Sequence, residues 1–436
     1  MSKSSLQQQY EEENQLLKKE IERRSGKTSE QLYKEREKRT SDAISLKEPD
    51  RVPLAINVNT SLYAGIPNSA AYYDPIGWKR AMRKITVDLE PDTCNAGLPS
   101  SGAAMEILGV KNRLWPGGPL PSDYEYQFIE GEYMKEDEYD LMLTDPSDFI
   151  IRYYLPRMYE AAAPLKRLPP LSSMLRGFEG LTPLLVNADF IRMARLIYKA
   201  GREMAKFRKT IGDAYEELAL LGFPAFAPVT TGGVGGAPYD TVSSFLRGMT
   251  GAMVDMYRRP EKLLQLCEAV LERQIARARP YVKKKHLSNR VGVPLWRGDK
   301  SFMSQKQFEK FYWPGLKKAL QGNIDLGYVP IPFFEAEFGD RLACLLELPK
   351  GKIVASVEYM DAVKAKEILG GHTCIMVRPP LSSKVWPLRE VEKYAKELID
   401  KCGKGGGLWL NLRLPDKGTT KEFQAMLESI REYGRY

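Results

Sequence analysis

The stretch Tyr328-Val-Pro-Ile-Pro-Phe-Phe-Glu335 opens a pattern that recurs through residues 328–416: an apolar run, a few polar residues and a helical period. The apolar run returns at 352–357, 373–377 and 408–412. Short apolar runs that alternate with helices indicate a parallel sheet buried on both faces. Functional side chains in such folds follow the carboxyl ends of the strands. The candidates here are Glu335, residues 358–361, Arg378 and Arg413.

Upstream apolar runs complete a set of eight predicted strands. They are 51–57, a run ending at 92–95, 223–229 and 290–296. Eight strands with helices between them predict a (β/α)₈ barrel, the TIM barrel, over residues 49–436. Residues 1–48 are rich in Gln, Glu, Lys and Arg, which predicts a helical arm that packs on the barrel or on the partner of a homodimer. Aromatic and polar residues alternate over 115–134, which predicts a hairpin excursion.

The length, composition and net charge of the chain limit the classes of protein to consider. With 436 residues and 43% hydrophobic content, the chain can bury a large core. No apolar run approaches the roughly 20 residues of a membrane helix, and the amino terminus is polar, so neither a membrane span nor a secretory signal is expected. Five cysteines without a CxxC pair predict reduced thiols in the cytoplasm. Lys and Arg are scattered and give a net charge of only +9, which argues against nucleic-acid binding.

Four candidate site residues follow predicted strands, and each has a structural alternative. Burial after an apolar strand would raise the pKa of Glu335 and suit it to general acid or base catalysis, but it could instead pair with a barrel arginine. Asp361 could act in catalysis or cap the helix that follows it. Tyr359 could hydrogen-bond a substrate or be a core or rim aromatic. Arg297 could bind substrate or pair with Asp299.

Two further arginines end neighbouring strands of the predicted barrel. Guanidinium groups of Arg378 and Arg413 facing one pocket would repel each other unless an anion lay between them. Arginine also presents a fork suited to bidentate capture of carboxylate or phosphate. The pair therefore predicts an anion clamp, with Glu335 or Glu358 as the alternative internal counter-charge.

Several motifs resemble those of a known superfamily. Gly236-Ala-Pro-Tyr-Asp-Thr-Val-Ser-Ser-Phe-Leu-Arg-Gly248 is similar to its Gly-Pro-Phe turn from strand to helix. The order Leu369-Gly-Gly371, strand, Pro-Pro, helix, Gly405-Gly-Gly407 and strand is similar too, as is the final Tyr433-Gly-Arg-Tyr436. From Arg51 onward the chain thus resembles the uroporphyrinogen decarboxylase superfamily, which includes the decarboxylase of haem synthesis and the cobalamin-dependent methyltransferases of anaerobes.

Departures from the superfamily pattern narrow the activity that the resemblance implies. Asn95 stands where the decarboxylase has a substrate-orienting Asp, and Asn57 where it has a Gly-Arg pair that holds carboxylates. The run Asn411-Leu-Arg-Leu414 replaces Asn-Leu-Gly-His, so the histidine is lost. Uroporphyrinogen decarboxylation is therefore not expected. The resemblance makes Asn57, Asn95 and Asn411 candidates for substrate binding.

The zinc site of thiol-directed methyltransferases in the superfamily is also altered. Its His-x-Cys and its later Cys align with Phe333, Glu335 and Leu414. Zinc in proteins needs about four N, S or O ligands, and of these three side chains Glu335 alone can supply one. We therefore expect much less than one zinc per chain.

The resemblance implies a corrinoid-dependent methyltransferase of anaerobic metabolism. A separate corrinoid protein would carry the cobalamin and dock where the strands end, and a methyl group would pass between it and a small molecule. Two alternatives stay open at this point. One is decarboxylation of a carboxylated substrate other than uroporphyrinogen, and the other is a non-catalytic barrel that binds a tetrapyrrole or corrinoid.

Overall fold

The computed structural model describes residues 5–58, 61–97, 99–177, 179, 181–228, 232–380, 387–415 and 419–436 of the chain. The strands are β1 (Leu54–Val58), β2 (Thr93–Ala96), β3 (Arg113–Leu114), β4 (Gln127–Phe128), β5 (Arg290–Leu295), β6 (Val329–Phe334), β7 (Val354–Val357), β8 (Cys374–Val377) and β9 (Leu408–Arg413).

The α-helices are α1 (Ser5–Ser25), α2 (Ser29–Ile44), α3 (Ala70–Tyr73), α4 (Pro75–Leu89), α5 (Gly102–Leu108), α6 (Tyr139–Thr144), α7 (Pro146–Phe149), α8 (Leu155–Met158), α9 (Thr182–Leu185), α10 (Ala188–Ile211), α11 (Ala214–Leu220), α12 (Pro238–Phe245), α13 (Gly248–Arg258), α14 (Pro260–Arg277), α15 (Gln305–Gln307), α16 (Trp313–Asp325), α17 (Ala362–Leu369), α18 (Leu388–Cys402) and α19 (Lys421–Tyr433). Among the described helices none is long and apolar enough to cross a membrane.

Seven strands form one parallel sheet in the order β2-β1-β9-β8-β7-β6-β5. Helical segments separate successive strands of this sheet, which confirms the predicted α/β architecture. β1 begins three residues later than predicted because Arg51 and Val52 pair with the end of the chain. Arg51 forms a bridge with Arg435, and the Val52 N–H donates to the Gly434 carbonyl at 2.7 Å.

The strand predicted at 223–229 is represented by a single bridge between Ala225 and Cys94 of β2. The Phe226 N–H donates to the Cys94 carbonyl at 2.9 Å. From the other edge of the sheet, the Arg290 guanidinium of β5 donates to the carbonyls of Ala225 and Phe226 at 2.8 and 2.6 Å. The carbonyls of Ala225 and Phe226 thus accept from a side chain instead of from the backbone of a neighbouring strand, and the last residue of the run lies outside the described part. In place of the predicted eight-stranded barrel, the described residues form a curved seven-stranded sheet. The irregular segment around Ala225 and Phe226 contacts both of its edge strands, β2 and β5.

Inside the curved sheet, apolar side chains pack together near the amino-terminal ends of the strands. Polar side chains line the space near the carboxyl-terminal ends. A buried apolar cluster occupies the inside and comprises Ile44, Ala55, Phe226, Ile331, Val354, Cys374, Met376 and Trp409. Side chains alternate across a sheet with a period of two. The register pairs Asn57 with Asn95 and Ala55 with Asn411, so inward-facing amides follow the apolar cluster along β1, β2 and β9.

Helix α2, in the region of the predicted arm, covers the amino-terminal ends of the strands. Its Ile44 side chain joins the interior cluster. Arg39 pairs with the fully buried Asp92, which lies just before β2. Glu37 pairs with Arg290 at the start of β5, at 2.7 Å. The arm therefore closes the end of the fold that lies opposite the predicted site.

The predicted hairpin excursion is confirmed as the antiparallel pair β3 and β4. The pairing is short, with Arg113 opposite Phe128 and Leu114 opposite Gln127. The connection between these strands carries residues 124–126 to the carboxyl-terminal face of the sheet, where they line the cavity described next.

Candidate active site

A cavity of about 610 Å³ opens at the carboxyl-terminal ends of the strands. Residues at the ends of six strands line it, namely Asn57, Asn95, Glu335, Glu358, Arg378 and Arg413. The excursion and helices α3 and α4 form the outer wall, which includes Tyr72, Trp78, Arg113, Tyr124, Glu125 and Tyr126. We call this space the outer cavity. It brings together most of the side chains that the sequence places after strands.

A deeper space of about 350 Å³ lies inside the sheet, and we call it the inner chamber. Its walls are mainly apolar and include Phe226, Val293, Ile331, Phe333 and Met376. Five residues line both spaces, so the chamber opens into the outer cavity; they are Asn57, Asn95, Gly97, Phe333 and Arg378. Asn411, a predicted substrate-binding residue, lies in the chamber and is only 1% exposed.

Glu335 stands immediately after β6, where its N–H donates to the Leu295 carbonyl at 3.2 Å. The residue is exposed in the outer cavity, so the predicted burial is wrong, although neighbouring atoms crowd its carboxyl and remove part of its hydration. Burial of the carboxyl raises its pKa, and the negative charge of Glu358 raises it further, while Arg378 and Arg297 act in the opposite direction. Within the described residues no ion pair holds Glu335. A carboxyl with a raised pKa facing a cavity can transfer protons to a bound substrate.

The two arginines of the predicted anion clamp each contact a carboxylate. Arg378 pairs with Glu358 at 2.8 Å and lies over the ring of Phe333, 4.9 Å from its centroid. Arg413 pairs with Glu125 of the excursion at 2.9 Å. The clamp stays a prediction, but both guanidinium groups already have a counter-charge inside the molecule. Glu125 was missed from the sequence because it follows no strand.

The other three predicted residues occupy different places. Arg297 pairs with Glu130 at 2.7 Å and makes no ion pair with Asp299 within the described chain. Tyr359 lies at the rim of the outer cavity and is 64% exposed. Asp361 caps α17, where its carboxylate accepts backbone hydrogen bonds at 2.8 and 3.1 Å, and it does not line either space. The capping role is the alternative that the sequence also allowed.

A buried carboxyl that sequence reasoning missed supports the end of β5. Asp240 accepts hydrogen bonds from the Tyr312 hydroxyl at 2.7 Å and from the backbone N–H groups of Arg297 and Trp296 at 3.1 and 3.4 Å. Burial raises the pKa of Asp240 to about 7. Its sequence position indicates only the first turn of a helix, so nothing in the local pattern marks it.

Among the described residues that line the outer cavity, positive and negative side chains are equal in number. Three are arginines, Arg113, Arg378 and Arg413, and three are glutamates, Glu125, Glu335 and Glu358. In the described residues no group of three His, Cys, Asp or Glu side chains is placed to hold a metal ion. The site therefore offers proton transfer and hydrogen bonding from its own side chains.

The curved parallel sheet with its helices and its carboxyl-end cavity defines an α/β fold of the barrel type. The structure is similar to a methyltransferase from Methanosarcina mazei, with a TM-score of 0.53 and 14% sequence identity. The similarity covers 91% of this chain and 98% of that chain. No family model and no curated protein matches the sequence. At this identity the likeness shows a shared fold, and membership of the uroporphyrinogen decarboxylase superfamily stays a prediction.

Proposed function

We propose that the chain is a methyltransferase that moves a methyl group between a small molecule and a corrinoid carried by a separate protein. One observation carries the proposal. A carboxyl with a raised pKa, Glu335, faces the cavity of a fold that a methyltransferase shares over nearly its whole length. Transfer of a methyl group from an oxygen, nitrogen or sulfur atom leaves that atom in need of a proton, and such a carboxyl can supply it.

The two spaces would have different roles, substrate binding in the inner chamber and proton transfer in the outer cavity. The inner chamber would hold the body of the small molecule against Phe333 and Ile331. Glu335 would then hold a proton at the heteroatom that bears the methyl group. A corrinoid, when bound, supplies a cobalt centre that accepts or donates the methyl group. Fixing the methyl group toward the cavity mouth makes the reaction effectively intramolecular, which lowers its barrier.

The rim of the outer cavity carries exposed aromatic side chains. Tyr124, Tyr126 and Tyr359 line it, and they are 55%, 58% and 64% exposed. Exposed aromatic side chains grouped at one place are typical of binding surfaces, because they bury large areas and keep a polar end in water. These rings would hold the corrinoid or the protein that carries it.

The internal ion pairs argue against the decarboxylase alternative. Decarboxylation of a polycarboxylate needs arginines that are free to hold substrate carboxylates. Arg378 and Arg413 instead contact Glu358 and Glu125. Methyl transfer places no such demand on them.

The test is methylation of free cob(I)alamin by the purified chain. Candidate methyl ethers, methylamines and methyl thioethers are supplied in turn, and the absorbance change from cob(I)alamin to methylcobalamin is followed. We expect at least one donor to give enzyme-dependent methylation that Glu335→Gln slows by roughly 10²-fold or more. Release of CO₂ from a carboxylated substrate without any methylation would favour the decarboxylase alternative and contradict the proposal.

A further inference from the structure

Three asparagines on the neighbouring strands β2, β1 and β9 form an array that lines the inner chamber. Asn57 of β1 lies opposite Asn95 of β2, and Asn411 of β9 lies opposite Ala55 of β1. All three amides line the chamber. Asn57 and Asn411 are 9% and 1% exposed. The array follows from the sheet, because inward positions on adjacent parallel strands share one face.

The hydrogen-bonding capacity of this array is unused. The buried Oδ1 of Asn411 has no partner, and no described group hydrogen-bonds with the side-chain amides of Asn57 or Asn95. The side chain of another buried asparagine, Asn323, is by contrast hydrogen-bonded. Asn323 is 0% exposed, accepts from the Val234 N–H at 2.9 Å and donates to two carbonyls. Because a buried polar group without a partner is destabilising, an unpartnered amide in a chamber indicates a ligand that completes it.

The charges around the chamber restrict that ligand. Arg378 is the charged residue among the described residues that line it, and Glu358 already neutralises its guanidinium group. Among the described residues of the chamber wall there is no carboxylate to receive a cation. A cation that entered would lose its hydration without gaining a counter-ion, and an anion could pair with Arg378 only by competing with Glu358, so the chamber disfavours both charged forms. The apolar walls, by contrast, suit a hydrocarbon body.

We propose that the inner chamber selects a small uncharged molecule with an apolar body and one neutral group, a hydroxyl or carboxamide, that hydrogen-bonds with Asn411. This inference rests on the proposed function, since the methylated end of the same molecule would extend into the outer cavity toward Glu335. Asn57 and Asn95, nearer the mouth, supply further hydrogen bonds along its length.

Binding of four isosteric probes to the full chain tests the inference. Benzamide, benzoate, benzylammonium and toluene share a ring and differ in the charge and hydrogen bonding of one substituent. Isothermal titration should give benzamide a dissociation constant at least about tenfold lower than those of the two ions and toluene. Tighter binding of benzoate or benzylammonium, or no benzamide binding at millimolar concentration, would overturn the proposal.

Variants locate the effect at Asn411. Asn411→Leu should weaken benzamide binding about tenfold while the melting temperature is unchanged or higher, because an unpartnered buried amide is removed. Asn323→Leu is the matched control and should lower the melting temperature while the probe preference is kept. Asn411→Asp should shift the preference toward benzylammonium. Benzamide binding unaffected by both Asn411 variants would contradict the inference.

These titrations contain no corrinoid, so their outcome is separate from that of the methylation assay. Neutral-probe selectivity without methyl transfer would leave the chamber assignment standing and remove the proposed function. Methyl transfer combined with selectivity for a charged probe would support the proposed function and contradict the chamber assignment.

Discussion

At residue scale, the central group is the carboxyl of Glu335 in the outer cavity. Replacement by Gln keeps its size and hydrogen bonding and removes its ionisation. We predict that Glu335→Gln lowers the turnover number by roughly 10²-fold or more, because proton transfer of this kind typically contributes that factor. Glu337→Gln, two positions further along and outside both spaces, is the control and should be fully active. Full turnover of Glu335→Gln would assign the residue a structural role.

The raised pKa of Glu335 also predicts a pH dependence of stability. The folded state binds this proton more tightly than the unfolded state, so the free energy of unfolding decreases as pH rises from the ordinary glutamate pKa through the raised one. Above the raised pKa, the stabilisation that comes from the proton on Glu335 is lost completely. Glu335→Gln should therefore melt no lower than the wild type at pH 7 and show a smaller change between pH 4 and 7. A marked fall of its melting temperature at pH 7 would contradict this assignment.

A second prediction concerns the ion pair between Arg378 and Glu358. Both side chains are largely buried, with 11% and 15% exposure, so removal of one charge leaves the other without compensation. We expect Glu358→Gln to lower the free energy of unfolding by about 3 kcal/mol in urea titrations. The freed guanidinium should also bind phosphate more tightly than in the wild type. Unchanged stability and unchanged phosphate affinity would show that the pair is not formed in solution.

At the scale of elements, the buried carboxylate of Asp92 supplies one of the ion pairs that join helix α2 to the sheet, and Glu37 with Arg290 supplies another. Asp92 is 0% exposed and accepts hydrogen bonds from Arg39 of α2, from Arg51 and from the Leu54 N–H of β1. Because Asp92→Asn removes the charge that Arg51 pairs with and leaves Arg39 with Asp50 alone, we predict a loss of about 3 kcal/mol in the free energy of unfolding.

The control for this prediction is a solvent-exposed pair on a neighbouring helix. Asp88 pairs with Lys84 within α4, where both side chains are accessible. Asp88→Asn should cost less than about 1 kcal/mol, as is usual for such pairs. Equal losses for the two variants in chemical denaturation would show that α2 is not anchored through Asp92.

At the scale of the whole molecule, the prediction concerns metal content. Phe333 and Leu414 stand where related methyltransferases have zinc ligands, as the superfamily resemblance implies, and neither side chain can coordinate a metal. We expect elemental analysis of the purified, dialysed protein to find much less than one zinc per chain. Stoichiometric zinc that resists dialysis would contradict this, and Glu335 with neighbouring Cys or His residues would then be the first ligands to test.

Much of the fold could be predicted from the sequence because its signals are local. Apolar runs of four to six residues separated by helical periods mark β5 to β9 wherever they lie in space. The helix caps at Asp74 and Asp361 need only the next few residues. The strand at 223–229 was the exception, since the carbonyls of Ala225 and Phe226 accept from the Arg290 side chain instead of from the backbone of β5.

The sequence by itself determined which side chains stand at the carboxyl ends of strands, because strand direction and a period of two fix that placement. Asn57, Asn95, Glu335, Arg378 and Arg413 reach one cavity for this reason. Only the tertiary structure decided which charges meet. Arg413 contacts a glutamate 288 positions away, and Arg297 contacts one 167 positions away. Such partners depend on how the excursion folds across the sheet, and no local pattern carries that information. The tertiary structure also left the amide of Asn411 without a partner, because no described neighbour reaches it inside the sheet.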